Sequence, residues 1–330
     1  LKALILAGGL GTRLRPLTYT RPKHLLPIVN RPHIEHVFDL LERHGVSDVV
    51  LLTSYMADAF AGVVSEAAAR GLKVEVTHEP EPLGTAGAIK NAEALLSGET
   101  FLVFNGDILT DVDLTSLVEW HKGSAATATI LLTPVEDPSA FGVVPTDDEG
   151  RVSAFIEKPP PGEAPTNEIN AGVYVLEPSI LGYIPAGEVW SAEHALFPAL
   201  VESGTGVFAR STDAYWMDIG TPEKYLAANL DALAGRYRCA AVPEPGAEAV
   251  VGEQGSRVAP DARVSLSCLG RGSSIGEGAI VTRSVLLPGA IVGAGATVDG
   301  SILGQGTRVE PGVKISGRTI ADGEIVGSDS

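Results

Sequence analysis

The sequence predicts an α/β fold, a Rossmann-like mixed sheet flanked by helices, followed by a C-terminal hexapeptide-repeat left-handed β-helix. Three observations predict it. Over the first two-thirds of the 330 residues, short apolar runs alternate with segments of helical periodicity, the pattern of strands covered by helices on both faces. From about residue 125 to 176 the pattern turns more β-rich. Beyond residue 258, aliphatic residues recur every five or six positions with glycine or small residues between them, which is the spacing of a triangular β-coil.

The elements follow in order. Lys2–Ala7 is a short apolar run that ends in glycines, as a buried strand does. His33–His44 carries Ile34, Val37, Phe38 and Leu41 at helical spacing and stops at Gly45. Asp48–Thr53 reads as a second buried strand, Ala57–Arg70 as a helix, Lys73–His78 as an alternating strand, Thr85–Leu96 as a helix and Thr100–Asn105 as another buried strand. Pro159-Pro160-Pro161-Gly162 marks a turn inside the β-rich insertion. Pro222–Ala234 is the last helix. Gly235–Gly255, rich in Ala, Gly, Pro and Glu, reads as a linker. The expected division is a catalytic domain over 1–234, a linker over 235–257 and a β-helix over 258–330. Val258, Val264, Leu269, Ile275, Val281, Leu287, Val292, Val298, Leu303, Val309, Ile315, Ile320 and Val326 mark successive sides of the coil.

Composition narrows the function. A net charge of −17 argues against general binding to nucleic acid or anionic membrane. No apolar run approaches the ~20 residues that span a bilayer. Leu1–Ala7 is too short for a signal peptide. The two cysteines, Cys239 and Cys268, cannot build a disulfide framework, so a reducing compartment is expected, with the cytoplasm as default.

Against this acidic background the first loop stands out. Gly8-Gly9-Leu10-Gly11-Thr12-Arg13 follows the first strand, after Leu6 and Ala7, and Arg13, Arg15, Arg21 and Lys23 lie within eleven residues. Glycines let backbone N–H groups wrap phosphate oxygens, and the cations neutralise them. The loop is neither a dinucleotide fingerprint, since Leu14 stands where the third glycine belongs, nor a P-loop, since no Gly-Lys-Ser/Thr follows. Asp107 closes a buried strand and Asp218 follows two aromatics at the end of another β-like run. Carboxylates at such strand ends can hold Mg²⁺ against phosphate oxygens. His33, His36 and His44 lie on one expected helix with gaps of three and eight; a metal pair there would also need a third ligand nearby, so surface and packing roles are expected.

Gly8-Gly9-x-Gly11-Thr12-Arg13-Leu14 followed by Pro22-Lys23 resembles the signature of the sugar-1-phosphate nucleotidylyltransferases. Further motifs occur in family order: Glu81–Gly87 (EPLGTAG), Asn105-Gly106-Asp107, Phe141–Val144 (FGVV), Phe155–Pro159 (FIEKP), Ile169–Gly172 (INAG) and Tyr215–Gly220 (YWMDIG). The resemblance spans 1–234, and the coil extends it to the whole chain. It implies a nucleotide-diphospho-sugar transferase type of sheet. It also implies nucleotide contacts from Leu6, Ala7, Gly8, Gly9, Gly11, Thr12, Arg13, Lys23, Gly84, Thr85 and Asp107. Gly142, Glu157, Lys158, Asn170 and Gly172 resemble the sugar-phosphate contacts. Asp107 and Asp218 are the implied Mg²⁺ ligands. Arg13, Lys23, Asp107, Asp218 and Lys158 are the implied catalytic set. Gly84 is expected to let a base lie against backbone and Thr85 to cap the following helix.

Nucleoside triphosphate and sugar 1-phosphate are the implied substrates. The EPLGTAG loop, Ser191-Ala192-Glu193 and Trp216–Gly220 are most similar to the mannose-1-phosphate guanylyltransferases, whereas Leu25–Ile28 (LLPI) is similar to the glucose-1-phosphate thymidylyltransferases. GTP with mannose 1-phosphate is therefore expected, and glucose 1-phosphate with dTTP or UTP is the alternative. A non-catalytic regulatory paralogue would have lost Arg13, Lys23, Asp107 or Asp218, and all four are present. An acyltransferase role for the coil lacks a base, because the last histidine is His194. An open coil end is expected to be capped by another subunit, giving a homo-oligomer.

Overall fold

A computed structural model describes residues 1–79 and 81–327; the last three positions of the expected coil lie outside the described residues. The chain packs as two compact units. One comprises Leu1–Gly9 and Val37–Trp216; the other comprises Leu10–His36 and the chain from Met217 onward. In this grouping the segment 10–36 falls with the chain from Met217 onward.

The first unit is built on a mixed sheet. Its strands run in the order Ile156–Glu157, Gly142–Val143, Glu168–Leu176, Phe101–Asn105, Lys2–Leu6, Asp48–Thr53 and Lys73–His78, with Ala128–Pro134 and Val207–Ser211 attached through Glu168–Leu176. Lys2–Leu6 pairs in parallel with both Asp48–Thr53 and Phe101–Asn105. Glu168–Leu176 reverses direction against Phe101–Asn105. Leu4, Val50 and Val103 are fully buried at the centre of one apolar cluster with Tyr174, Phe197 and Leu200. Each such side chain contributes about 2 kcal/mol by leaving water. Lys73–His78 is the edge strand, and in keeping with that position none of its residues is fully buried. The helix expected over 57–70 opens as a 3₁₀ turn at Ala57–Phe60 and becomes α-helical over Ala61–Ala69.

In the second unit the helix Pro222–Leu233 starts on Thr221, whose hydroxyl accepts the backbone N–H of Lys224. The coil begins earlier than expected: Val250–Gly252 already pairs in parallel with Ser267–Leu269. Upstream of that strand Tyr237 and Val242 are buried, and Gly246 N–H donates to the Leu233 carbonyl at 2.8 Å. The stretch 235–257 is thus packed, not a free spacer. Residues pair at intervals of 17, as in Cys268 with Val285 and Val285 with Ile302. Two sides of six residues and one of five make each turn. Leu269, Leu286, Leu303 and Ile320 therefore stack as one interior column, and Ile275, Val292, Val309 and Val326 as another. Ser267, Ser284 and Ser301 share the period. Each accepts through Oγ, at 3.1 Å, the N–H of the residue 17 positions on, so these buried backbone donors at a corner are satisfied. Among the described residues no helix is long and apolar enough to cross a membrane.

Candidate active site

The first unit supplies two polar clusters at the ends of its strands. One surrounds the loop that precedes the Gly84–Asn91 helix. Gly84 has φ +73°, and a Cβ there would lie 2.8 Å from the Trp190 carbonyl oxygen. Only glycine fits that close approach in a left-handed conformation. Ala86 and Gly87 donate their N–H groups to the same carbonyl at 2.9 and 3.0 Å. Thr85 does not cap the helix as expected, since the N-cap position is Leu83 and no side chain serves it. The Thr85 hydroxyl instead donates to Glu193 Oε2 at 2.7 Å and accepts Ala192 N–H at 2.7 Å. Ser191 also donates to Glu193 Oε2, at 2.9 Å. The segment Ala192–Leu196 is a π-turn, a form that recurs at functional sites. Behind the loop, Glu79 is 4% exposed and accepts Leu83 N–H at 2.9 Å. Burial pushes its carboxyl up from the usual range, and the Leu83 bond opposes the shift. Sequence reasoning missed Glu79 and Glu193; a carboxylate at the end of a strand just before EPLGTAG was the available signal for the first.

The second cluster lies around the insertion. Glu157 pairs with Gly142 across two antiparallel strands. A Cβ on Gly142 would meet Glu157 Oε2 and the Phe155 ring at 2.8 Å. Lys158 adopts φ +49°. Its side chain is 65% exposed, with Nζ 3.3 Å from Glu157 Oε1. Asn170 is held on both ends: Nδ2 donates to Tyr174 Oη at 2.7 Å and Oδ1 accepts Gly172 N–H at 3.0 Å. Gly172 has φ +72°, and a Cβ there would fall 2.9 Å from Asn105 Nδ2. Asn105 Oδ1 is buried without a hydrogen-bond partner among the described residues. Burial raises the Tyr174 hydroxyl well above its usual range, and the nearby Glu193 and Glu157 charges push the same way. Trp216 Nε1 donates to the Ala171 carbonyl at 2.9 Å, and its ring meets Phe141 edge-on at 5.6 Å. This unit also carries Leu6 and Ala7 at a central strand end and Gly8, whose carbonyl accepts the Ser54 hydroxyl at 2.8 Å. Gly9 is exposed, and Asp107 is half-buried in the turn after Phe101–Asn105.

The second unit carries the cations. Gly11, at φ +61°, starts the 3₁₀ turn Thr12–Leu14. A Cβ on it would touch Lys23 Cβ at 3.2 Å and Thr18 Cγ2 at 3.1 Å. Lys23 thus packs on the glycine loop. Thr12 and Arg13 are exposed. A Cβ on Gly220 would lie 2.7 Å from Arg13 Nη2 and 2.8 Å from Asp218 Oδ1, so a guanidinium and a carboxylate flank one glycine. Asp218 Oδ2 accepts Lys224 Nζ at 3.2 Å. Its Oδ1 is buried with no hydrogen-bond partner among the described residues. Lys224 was missed by sequence reasoning. Arg21, counted there among the phosphate cations, is used otherwise: its guanidinium is paired with Asp322.

Among the described residues no three His, Cys, Asp or Glu side chains cluster as a self-sufficient metal site. A divalent ion would therefore draw ligands from the substrate, as Mg²⁺ commonly does. The orphaned Asp218 oxygen fits such an ion.

A family model described as nucleotidyl transferase matches residues 2–235, and one described as GMPPB C-terminal domain matches 247–329. The chain is 41% identical over 265 residues to the mannose-1-phosphate guanylyltransferase of Mycobacterium tuberculosis, covering 79% of this chain and 72% of the relative. It is 36% identical over 256 residues to the UTP–glucose-1-phosphate uridylyltransferase of Synechocystis, covering 74% and 66%. Against the mannose-1-phosphate guanyltransferase beta-B of Xenopus laevis it is 40% identical over 230 residues, covering 68% of this chain and 63% of the relative. The crystal structure of HddC from Yersinia pseudotuberculosis complexed with GMP-PN superimposes with a TM-score of 0.59 at 34% identity, covering 69% of this chain and 97% of that one.

Proposed function

The chain belongs to the nucleotidyl transferase family, and we propose that it transfers the guanylyl group of GTP to mannose 1-phosphate, releasing pyrophosphate and forming GDP-mannose. The observation that carries the choice of base is Glu79. Its carboxylate is buried beside the Gly84 loop with Oε2 accepting Leu83 N–H, and in this reading its remaining lone pairs accept paired N–H donors of the base. Guanine offers N1–H and the exocyclic amine on one edge, whereas uracil and thymine offer a single N–H there. An anion held out of water gains most from such donors. The sugar assignment follows the mannose-1-phosphate guanylyltransferase relatives.

In this reading a phosphate oxygen of the sugar 1-phosphate attacks the α-phosphorus in line. A new P–O bond forms, the α–β bond breaks and pyrophosphate takes the electron pair. The nucleophile is already anionic, so no general base is required. Gly8, Gly9, Gly11 and Thr12 offer N–H groups to the triphosphate, Arg13 neutralises its outer phosphates, and Lys23 the α-phosphate and the leaving group. Lys158 receives the attacking phosphate and Glu157 the sugar, with Gly142, Asn170 and Gly172 shaping that pocket. Catalysis is positioning plus neutralisation of charge. Asp107 and Asp218 would hold Mg²⁺, which supplies charge neutralisation at the phosphates when bound.

The alternative, glucose 1-phosphate with UTP or dTTP, is favoured by the uridylyltransferase relative. A pyrophosphate-release assay over a matrix of nucleoside triphosphates and hexose 1-phosphates, with and without Mg²⁺, separates the two. GTP with mannose 1-phosphate should be the fastest pair and should need the metal. Faster turnover of UTP or dTTP with glucose 1-phosphate overturns the substrate assignment, and no release from any pair overturns the activity. We further propose a homo-oligomer in the cytoplasm; a monomer by light scattering contradicts the oligomer.

A further inference from the structure

Arg21 has no role in the proposed triphosphate site, because its guanidinium is engaged by the coil. Its Nη2 donates to Asp322 Oδ2 at 2.6 Å and to Gln305 Oε1 at 2.9 Å. The Thr20 hydroxyl donates to the same Asp322 oxygen at 2.7 Å. The other Asp322 oxygen accepts the backbone N–H of Gln305 at 2.7 Å, tying two neighbouring turns of the coil. The paired side chains are only 16% and 20% exposed. Just over three hundred positions (301) separate Arg21 and Asp322 in sequence, yet they form one charged knot.

The same segment is fastened at its other end. Asn30 Nδ2 donates to the Val251 and Leu269 carbonyls at 3.0 and 3.1 Å, on the first two turns of the coil. Between these ends, Val29 N–H donates to Asn229 Oδ1 at 2.8 Å, and the Tyr225 hydroxyl donates to the Pro27 carbonyl at 2.6 Å. Cys268, Val285 and Ile302 point out of the coil on that side, yet are at most 1% exposed. The segment 20–30 is therefore fixed at both the first and the last described turns of the coil, and Lys23 lies two residues from the knot.

We propose that Asp322 is a positioning residue, which sets the place of Lys23 on the glycine loop by anchoring Thr20 and Arg21 to the coil. The coil is then a splint for the phosphate-binding segment. The inference rests on the proposed role of Lys23 in nucleotidyl transfer. A shift of about 1 Å in a charged group costs up to about a hundredfold in rate, so loosening the segment lowers kcat without removing any group from the site.

The test compares Asp322→Asn, Asp322→Ala, Lys23→Ala and the double variant Asp322→Ala/Lys23→Ala in the pyrophosphate-release assay, with thermal unfolding of each. Asp322→Asn keeps an acceptor for Gln305 N–H and controls for damage to the coil. Both Asp322 variants should lose about tenfold or more in kcat at unchanged or slightly lower unfolding temperature. Asp322→Ala should cost nothing further once Lys23 is gone, because coupled residues are non-additive. Equal losses from Asp322→Ala in the presence and absence of Lys23 would mean a purely structural role and overturn the proposal. So would wild-type kcat in both Asp322 variants. Full turnover in Lys23→Ala overturns the role of Lys23 itself, which is a distinguishable failure.

Discussion

Replacing Thr85 by valine removes one hydroxyl and keeps the shape. That hydroxyl donates to Glu193 and accepts from Ala192 N–H, both at 2.7 Å. Loss of a hydrogen bond to a charged group costs about 1.5–3 kcal/mol, and an N–H left without a partner about 1–3 kcal/mol. Ser191 still serves Glu193, so the lower halves of these ranges apply, and about 3 kcal/mol in total is expected. For a unit of this size that corresponds to a fall in unfolding temperature of about 6–12 °C. Part of the loss falls on the loop geometry. Each 1.4 kcal/mol spent there raises KM for the nucleotide about tenfold. Thr85→Ser keeps the hydroxyl and should restore most of both losses. Differential scanning calorimetry and steady-state kinetics on the two variants measure this. An unfolding temperature for Thr85→Val within about 2 °C of wild type, or a serine variant no better than valine, would refute the reasoning.

Two further perturbations follow from the same geometry. Glu79 has its folded-state pKa raised by burial, so its contribution to stability is present below the unfolded carboxylate range and is lost as pH rises through the raised value; Glu79→Gln should therefore be more stable than wild type at pH 7, the gain should vanish below about pH 4, and KM for GTP should rise, as urea denaturation across pH and kinetics would show. Gly172→Ala puts a Cβ 2.9 Å from Asn105 Nδ2 in a left-handed conformation; with about 1–2 kcal/mol from the backbone alone, a loss of about 3 kcal/mol by denaturant unfolding is expected, together with weaker use of the sugar phosphate.

The coil was the most legible part of the chain, because an interior with room for one aliphatic side chain per side leaves a period in the sequence. The serine column at 267, 284 and 301 carries the same period of 17 in polar form. The buried strands 2–6, 48–53 and 101–105 were legible for a related reason: strands covered on both faces are apolar throughout. The motifs located the clusters around Gly142, Glu157 and Asn170 and around Gly84, but not how they are held. Thr85 reads as a capping residue from its neighbours alone; its true partners are more than a hundred residues away in sequence. Arg21 reads as one of four loop cations, because charge composition cannot tell a phosphate ligand from half of an ion pair with Asp322. The π-turn at 192–196 has no periodic signature, since it inserts one residue into a helical start. Composition also misplaced the start of the coil, where Ala, Gly and Pro served packing and not flexibility.

The proposed transfer needs Asp107 and Asp218 to share one divalent ion with the triphosphate. Mn²⁺ titration followed by electron paramagnetic resonance, in the presence of GTP, tests this in wild type, Asp107→Asn and Asp218→Asn. One tight GTP-dependent site in wild type, weakened in both variants by at least tenfold, is the expected result. A variant of either aspartate that retains the wild-type site would contradict the shared ion and the chemistry built on it.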